Sequence, residues 1–93
     1  MSKPFKSSFK YRVQRRMEKE GWTVFPICDS ESSIDLLCFR TGSVVGIRVQ
    51  AHGHIYDKER DVLSRLGAKL HIGVFYVHEA PGRELAFTIL RKY

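Results

Sequence analysis

The sequence predicts an α/β fold in which a mixed sheet is flanked by helices, with its elements in the order α-β-β-β-α-β-β. Three observations lead to this prediction. A strand-turn-strand pattern spans residues 34–54, a segment with helical apolar spacing lies on each side of it, and two more strand-like runs follow. The 93 residues fit one small domain, residues 1–93, in which we expect residues 1–7 to form a flexible basic tail.

The first helix is predicted to begin after Ser7 or Ser8, either of which can cap it, and to end near Glu20, because Gly21 is a typical helix stop. Its apolar face has a spacing of four residues: Phe9, Val13 and Met17. A second face is basic and contains no acid: Arg12, Arg15 and Lys19, with Arg16 between the faces and Tyr11 at the edge. Because the tail before the helix is also basic, we expect this face to contact phosphates.

A hairpin follows within residues 34–54. Its strands are Ile34–Arg40 and Val44–Ala51, and Thr41-Gly42-Ser43 provides the turn. The second strand alternates, so one face is apolar: Val45, Ile47 and Val49. Arg48 and Gln50 project to the other face.

The remaining strands are predicted at Trp22–Cys28, Leu70–His78 and Glu84–Arg91. Pro26 indicates an edge strand or a bulge, because proline cannot donate to the ladder. The polar loop Asp29–Ser33 is predicted to be a solvated turn, in which Ser32 and Ser33 are weak phosphate candidates.

The second helix is predicted at Ile55–Leu66, with Asp57 as its cap and Gly67 as its stop. Its buried stripe is expected to contain Val62, Leu63 and Leu66.

The candidate functional residues are concentrated in the hairpin. Asp35 lies near the start of an apolar strand, and Arg48 and Gln50 lie two apart on the next strand. A carboxylate that faces polar side chains on a neighbouring strand is typical of divalent-metal phosphodiesterase sites.

These residues, with the basic first helix, the Gly21-Trp22 that opens a strand and the sequence Ile47-Arg48-Val49-Gln50, resemble the PD-(D/E)xK nuclease superfamily, in particular the archaeal Holliday junction resolvases. The resemblance covers most of the chain and implies a restriction-endonuclease-like fold. It also implies a site in which two carboxylates hold a divalent metal and a lysine helps to position or activate water.

The sequence departs from this family at the site itself. Arg48 stands at the position of the second acid, Gln50 at that of the lysine, and Lys10 at that of an acid in the first helix, so Asp35 is a remnant. A unit charge about 5 Å from a dication repels it by roughly 7 kcal/mol at an effective dielectric constant near 20. Since Arg48 can instead pair with Asp35, we expect a catalytically inactive domain without a metal or other cofactor.

Charge distribution points to a polyanionic partner. The net charge is +6, and residues 1–20 contribute +5 of it, with seven bases against two acids. No apolar run approaches the length of a membrane span, and no apolar segment follows the basic start, so a cytoplasmic protein without membrane contact is expected. Cys28 and Cys38 are expected to be buried and reduced, with a cross-strand disulfide left open.

The predicted function is therefore nucleic-acid binding through backbone contacts, with branched or duplex DNA as the expected partner. Loop histidines after the Arg48 strand are further phosphate donors. The predicted contact residues are Lys6, Lys10, Arg12, Arg15, Arg16, Lys19, Arg48, His52 and His54.

Two alternatives stay open. One is an active Mg²⁺-dependent, structure-selective endonuclease, in which Glu59 replaces the missing acid, Lys58 replaces the lysine, and Asp35 and Glu31 complete the ligands. The other is an interaction subunit that pairs with itself or with an active nuclease through Phe75, Tyr76 and Phe87, although packing in the core is the commoner role of such side chains.

Overall fold

The structure is a computed structural model that describes residues 8–28, 32–51 and 55–93. The helices are α1 (Phe9–Lys19) and α2 (Asp57–Leu70). The strands are β1 (Thr23–Pro26), β2 (Leu36–Arg40), β3 (Ser43–Gln50), β4 (Gly73–Glu79) and β5 (Leu85–Arg91). A short 3₁₀ turn, Pro81–Arg83, joins the last two strands. The predicted element order is confirmed.

The five strands form one mixed sheet in the order β1-β2-β3-β4-β5. β3 and β4 are parallel, and α2 makes the crossover between them, whereas the other three pairs are antiparallel. β1 lies at an edge of the sheet, where Pro26 is tolerated as the sequence predicted.

The sheet has an apolar cluster on each face, because neighbouring residues of a strand point to opposite sides. On one face, Val13 and Met17 of α1 pack with Val45 and Ile47 of β3. On the other face, Leu63 of α2 packs with residues of the sheet and its connections: Ile34, Ile72 and Val74. The apolar stripe predicted for the first helix is therefore confirmed.

Local signals set the ends of α1 and the hairpin. The Ser8 hydroxyl accepts a hydrogen bond from the Tyr11 N–H at 3.1 Å, which satisfies a donor that the first turn leaves free. The turn between β2 and β3 contains Gly42 at φ 76°, a conformation that glycine adopts without strain.

The second helix differs from its prediction in three ways. Asp57 is its first residue and Tyr56 is the cap; Val62 is exposed, although Leu63 is buried as expected. Gly67 lies inside the helix, where an added Cβ would be 2.6 Å from Val74 Cγ2. The glycine allows α2 to lie close against β4, and the helix continues to Leu70 before His71 ends it in the left-handed conformation.

The cysteines also differ from expectation. Cys38 is buried opposite Val24, but Cys28 lies beyond the end of β1 and is exposed, so the expectation that both are buried was wrong for Cys28. Both are free thiols. Burial, with a smaller contribution from Glu18, raises the pKa of Cys38 from 9.0 to about 12.

The two thiols should therefore react at very different rates. Because a thiolate is the reacting species, we expect a thiol reagent at pH 8 to modify one cysteine per native chain rapidly and both after unfolding. Cys28→Ser should abolish the fast reaction, and Cys38→Ala should leave it intact. Rapid modification of two thiols in the native protein would contradict the described burial of Cys38.

Candidate functional site

Asp35 lies immediately before β2 and is tied to both neighbouring segments by its backbone. Its N–H donates to the Ile47 carbonyl at 2.8 Å, and its carbonyl accepts from the Ile27 N–H at 2.8 Å. Its side-chain Oδ2 accepts a hydrogen bond from the Val49 N–H at 2.8 Å. One carboxylate oxygen is therefore already engaged by the β3 backbone, beside Arg48.

Arg48 projects from β3 between two carboxylates. Its Nε donates to Glu59 Oε2 on α2 at 3.0 Å, and its Nη1 lies 3.5 Å from Asp35 Oδ2. All three side chains are partly buried. The predicted Asp35–Arg48 pair is present, and Glu59 joins it. We call Asp35, Arg48 and Glu59 the Arg48 cluster.

This arrangement does not fit a divalent metal. Mg²⁺ binds oxygen ligands, and here a guanidinium occupies the space between the two carboxylates that would supply them. In the described parts of the chain, no group of three or more His, Cys, Asp or Glu side chains is placed to hold a metal ion. Glu31, the third predicted ligand of the nuclease alternative, lies outside the described residues.

Gln50 and Lys10 complete the positions that the resemblance singled out. Gln50 lies two residues beyond Arg48 on β3 and is in register with His78 of β4. Lys10 Nζ donates to the Ile27 carbonyl at 3.0 Å. Since the Ile27 N–H binds the Asp35 carbonyl, Lys10 supports the same backbone segment as Asp35.

Tyr76 lies beside Arg48, a neighbourhood that the sequence did not predict. It was a candidate for an exposed partner surface, but it is buried in β4 directly beside Arg48 in the register. Within the described residues its hydroxyl has no hydrogen-bond partner, and neither has the buried Nδ1 of His78, whose ring stacks on Tyr76 with centroids 5.8 Å apart. Burial raises the pKa of Tyr76, the charge of Glu59 raises it further, and Arg48 opposes both effects. Only the parallel β3–β4 register reveals this neighbourhood.

The basic face of α1 borders an open groove of about 790 Å³. Its lining includes the basic residues predicted for this face: Arg12, Arg15, Arg16 and Lys19, with Tyr11, Glu18 and Leu85. We call this surface the α1 groove.

The α1 groove is less positive than the sequence suggested, because acids from other positions reach it. Arg15 lies 3.4 Å from Glu18, and Arg16 lies 2.7 Å from Glu20. Glu79 of β4 lies 2.9 Å from Arg12, which also donates to the Arg83 carbonyl. Lys19 forms no ion pair within the described part of the chain.

Several predicted residues fall outside the described ranges. These are the phosphate candidates Lys6, His52 and His54. Ser32, a weak candidate, instead forms a local turn in which its hydroxyl accepts from the Ile34 N–H at 3.1 Å. Lys58 is exposed next to Glu59.

Comparison with known proteins bears on the fold. No protein-family model matches the sequence, and no curated protein sequence matches it. The structure is similar to that of a Holliday junction resolvase from the archaeal hyperthermophile Archaeoglobus fulgidus, with a TM-score of 0.74 and 12% sequence identity. The similarity covers 88% of this chain and 74% of that one, and it confirms the expected resolvase-like fold. Neither described helix is long and apolar enough to cross a membrane.

The Arg48 cluster yields a direct test of whether Arg48 keeps a divalent metal from binding beside Asp35. Replacing Arg48 by Gln should lower the free energy of unfolding by about 1–2 kcal/mol, because two partly buried carboxylates lose their shared cation. The same change removes the charge that repels a dication, so Mn²⁺ should raise the unfolding temperature of Arg48→Gln and not that of the wild-type protein. Thermal unfolding with and without Mn²⁺ measures both effects.

A double variant provides the control. Arg48→Gln combined with Asp35→Asn should lose the response to Mn²⁺. If Mn²⁺ stabilised the wild-type protein and Asp35→Asn removed that effect, Arg48 would not be what excludes the metal.

Proposed function

We propose that this protein binds nucleic acid through phosphate contacts on the α1 groove and does not cleave it. The Arg48 cluster supports the absence of cleavage: on a resolvase-like fold, an arginine held by two carboxylates stands where a metal-binding acid would be expected. The bases that line the α1 groove support the phosphate contacts. Because function depends on individual sites and not on the fold, a basic helix can bind phosphates whether or not the fold also holds a metal.

The ion pairs on the α1 groove do not prevent phosphate binding. The pairs of Arg15 and Arg16 lie at the surface, where such pairs contribute only about 0–1 kcal/mol. A phosphate can therefore replace a carboxylate at little cost, and arginine binds its oxygens in a planar fork. Four bases face three acids there (Arg12, Arg15, Arg16 and Lys19 against Glu18, Glu20 and Glu79), and the basic residues 1–7 add to this charge.

Arg48 has a structural role in this proposal. Its two carboxylate partners and partial burial favour it as the partner of Asp35 and Glu59, not as the main phosphate contact. Lys6, Lys10, His52 and His54 stay proposed contacts, as does a branched or duplex DNA partner in the cytoplasm.

Charge reversal on the α1 groove tests the proposal. In gel shifts with junction, duplex and single-stranded DNA, Arg15→Glu with Lys19→Glu should weaken binding at least tenfold and reduce the salt slope by about 2, because each lost phosphate contact removes about one unit. The matched control is Lys58→Glu with Arg65→Glu, which makes the same charge change on exposed positions of α2 and should leave binding nearly unchanged. Equal losses in both variants, or no salt dependence, would refute a specific α1 surface.

The same substrates, incubated with Mg²⁺ or Mn²⁺, test the second candidate. Glu59 does reach the neighbourhood of Asp35 through their common contact with Arg48, as a relocated metal ligand would need to. Metal-dependent nicking of branched or single-stranded DNA that Asp35→Ala abolishes would establish an active endonuclease and overturn our proposal of inactivity.

A partner surface is also proposed, at a different place from the one predicted. Tyr76 is buried and Phe75 and Phe87 pack partly against the core, whereas Phe25 and Phe39 are 55% and 39% exposed and contact each other with centroids 5.6 Å apart. They share the sheet face of Leu37, on which α2 packs over β4 and β5 instead. A second copy of this chain, or an active nuclease as a heteromeric partner, is proposed to cover them.

Sedimentation velocity tests the homodimer. If Phe25 and Phe39 form its interface, Phe25→Ser with Phe39→Ser should convert a dimer to a monomer, whereas Val62→Ser, an exposed apolar change on α2, should not. A wild-type protein that stays monomeric at all concentrations would leave a heteromer as the partner to seek, by pull-down with an active nuclease.

A further inference from the structure

A second, aromatic pocket lies on the α1 face of the sheet, where the helix ends. α1 covers this face up to Met17 and stops at Lys19, so the start of β4 and the end of β5 are left open beside it. The pocket has a volume of about 250 Å³. We call it the Trp22 pocket. Its charged residues are Arg16, Arg40 and Glu20, and its aromatic walls are Trp22, Phe75, Phe87 and Tyr93.

The rings of the Trp22 pocket are fixed against one another edge to face. Trp22 and Tyr93 have centroids 5.4 Å apart and are inclined at 87°, and Phe75 and Phe87 are 6.4 Å apart at 88°. Tyr93 is further held because it lies over the backbone of Gly73, where an added Cβ would be 2.7 Å from the tyrosine Cβ. Tyr93 is nevertheless 57% exposed, so its ring is fixed in position and still accessible to solvent.

Two arginines bring positive charge to these rings. The Arg40 guanidinium lies 4.1 Å from the centroid of Trp22, and it donates to the Tyr93 hydroxyl at 3.2 Å. Arg16 lies 5.5 Å from the centroid of Phe87. Arg16 also lines the α1 groove, so the groove and the Trp22 pocket are continuous at this side chain.

The combination of aromatic rings and arginines in the Trp22 pocket indicates which class of ligand it would bind. Aromatic rings beside cations suit a planar π system that is attached to an anion, because the rings stack on its face and the guanidinium groups bind its charge. The pocket is smaller than the ~300–1,000 Å³ of clefts that enclose drug-sized molecules, which restricts it to about one ring system. A purely apolar peptide would gain nothing from Arg16 and Arg40.

We infer that the Trp22 pocket receives one unpaired nucleobase of a strand whose phosphates lie along the α1 groove. This inference rests on the proposed nucleic-acid binding and specifies its substrate class: the preferred ligand contains unpaired nucleotides, and a fully paired duplex is bound more weakly. DNA and RNA bases share the stacking chemistry, so both sugars belong in the test.

Trp22 is the only tryptophan of the chain, so its fluorescence reports on the pocket directly. The probes are a short single strand, the same strand with abasic sites throughout, and a blunt duplex of equal length, each with deoxyribose; the single strand is repeated with ribose. We expect the base-containing strand to quench Trp22 and to bind about tenfold more tightly than the abasic strand, in either sugar. A preference between the sugars would identify the natural source of the base.

Variants locate the effect in the pocket. Tyr93→Ala should reduce binding of the base-containing strand about tenfold and leave abasic-strand binding unchanged, whereas Tyr93→Phe, which keeps the ring, should retain most of it. Tyr56→Ala, which removes an exposed tyrosine next to α2, is the matched control and should change neither.

The possible outcomes distinguish this inference from the proposed nucleic-acid binding on which it rests. Equal affinity of wild-type protein for base-containing and abasic strands, with unchanged Trp22 emission, would overturn the inference while phosphate binding stands. No binding of any probe would overturn both. The wild-type comparison needs no variant, so it decides the question even if Tyr93→Ala does not fold.

Discussion

The structure depends on the burial of β3, the central strand of the sheet. Both faces of β3 are covered, with Val45 and Ile47 against α1 and Val44 toward the α2 side. A cation on a strand in this position is stabilised by a partner, because even a partly buried charge loses part of its hydration. Arg48 meets this constraint by pairing with two carboxylates. One is Asp35, in the segment before β2, and the other is Glu59, on α2.

The same constraint explains how a resolvase-like fold can accommodate a cation at position 48. A carboxylate at position 48 would face Asp35 and Glu59 as a third negative charge, and a dication would be needed to hold them together. An arginine supplies the positive charge permanently and within the chain. The parallel pairing of β3 with β4 is compatible with either a carboxylate or an arginine at position 48, since it depends on backbone hydrogen bonds and apolar contacts.

The α1 groove and the Trp22 pocket lie on the face of the sheet opposite α2. α1 presents its arginines in surface ion pairs that cost little to exchange, and the end of the helix opens onto a set of fixed aromatic rings. Charge and aromatic surface meet at Arg16, which contacts both. A strand of nucleic acid is the polymer that offers both phosphate charge and planar rings at a regular spacing.

Much of this could be predicted from the sequence because it is local. The period of four in Phe9, Val13 and Met17 determined the buried face of α1, and Ser8 determined its start. The alternation of β3 placed Arg48 on the face opposite its apolar residues. The pairing of Arg48 with Asp35 followed from opposite charges on adjacent strands. The element order followed from the same patterns, and the resemblance to the resolvases implied the resolvase-like fold.

Other features depend on long-range contacts, which a local pattern does not contain. Gly67 appeared to be a helix stop, but the approach of α2 to Val74 makes it an interior residue. Tyr76 was one candidate for a partner surface, but the parallel register places it in the core beside Arg48. Glu79 reaches Arg12 only because the end of β4 lies near the start of α1. The sequence by itself determined the elements and the sign of the charge at position 48. Only the tertiary structure decided which side chains neutralise that charge and which rings gather at Trp22, because those neighbours are distant in the chain.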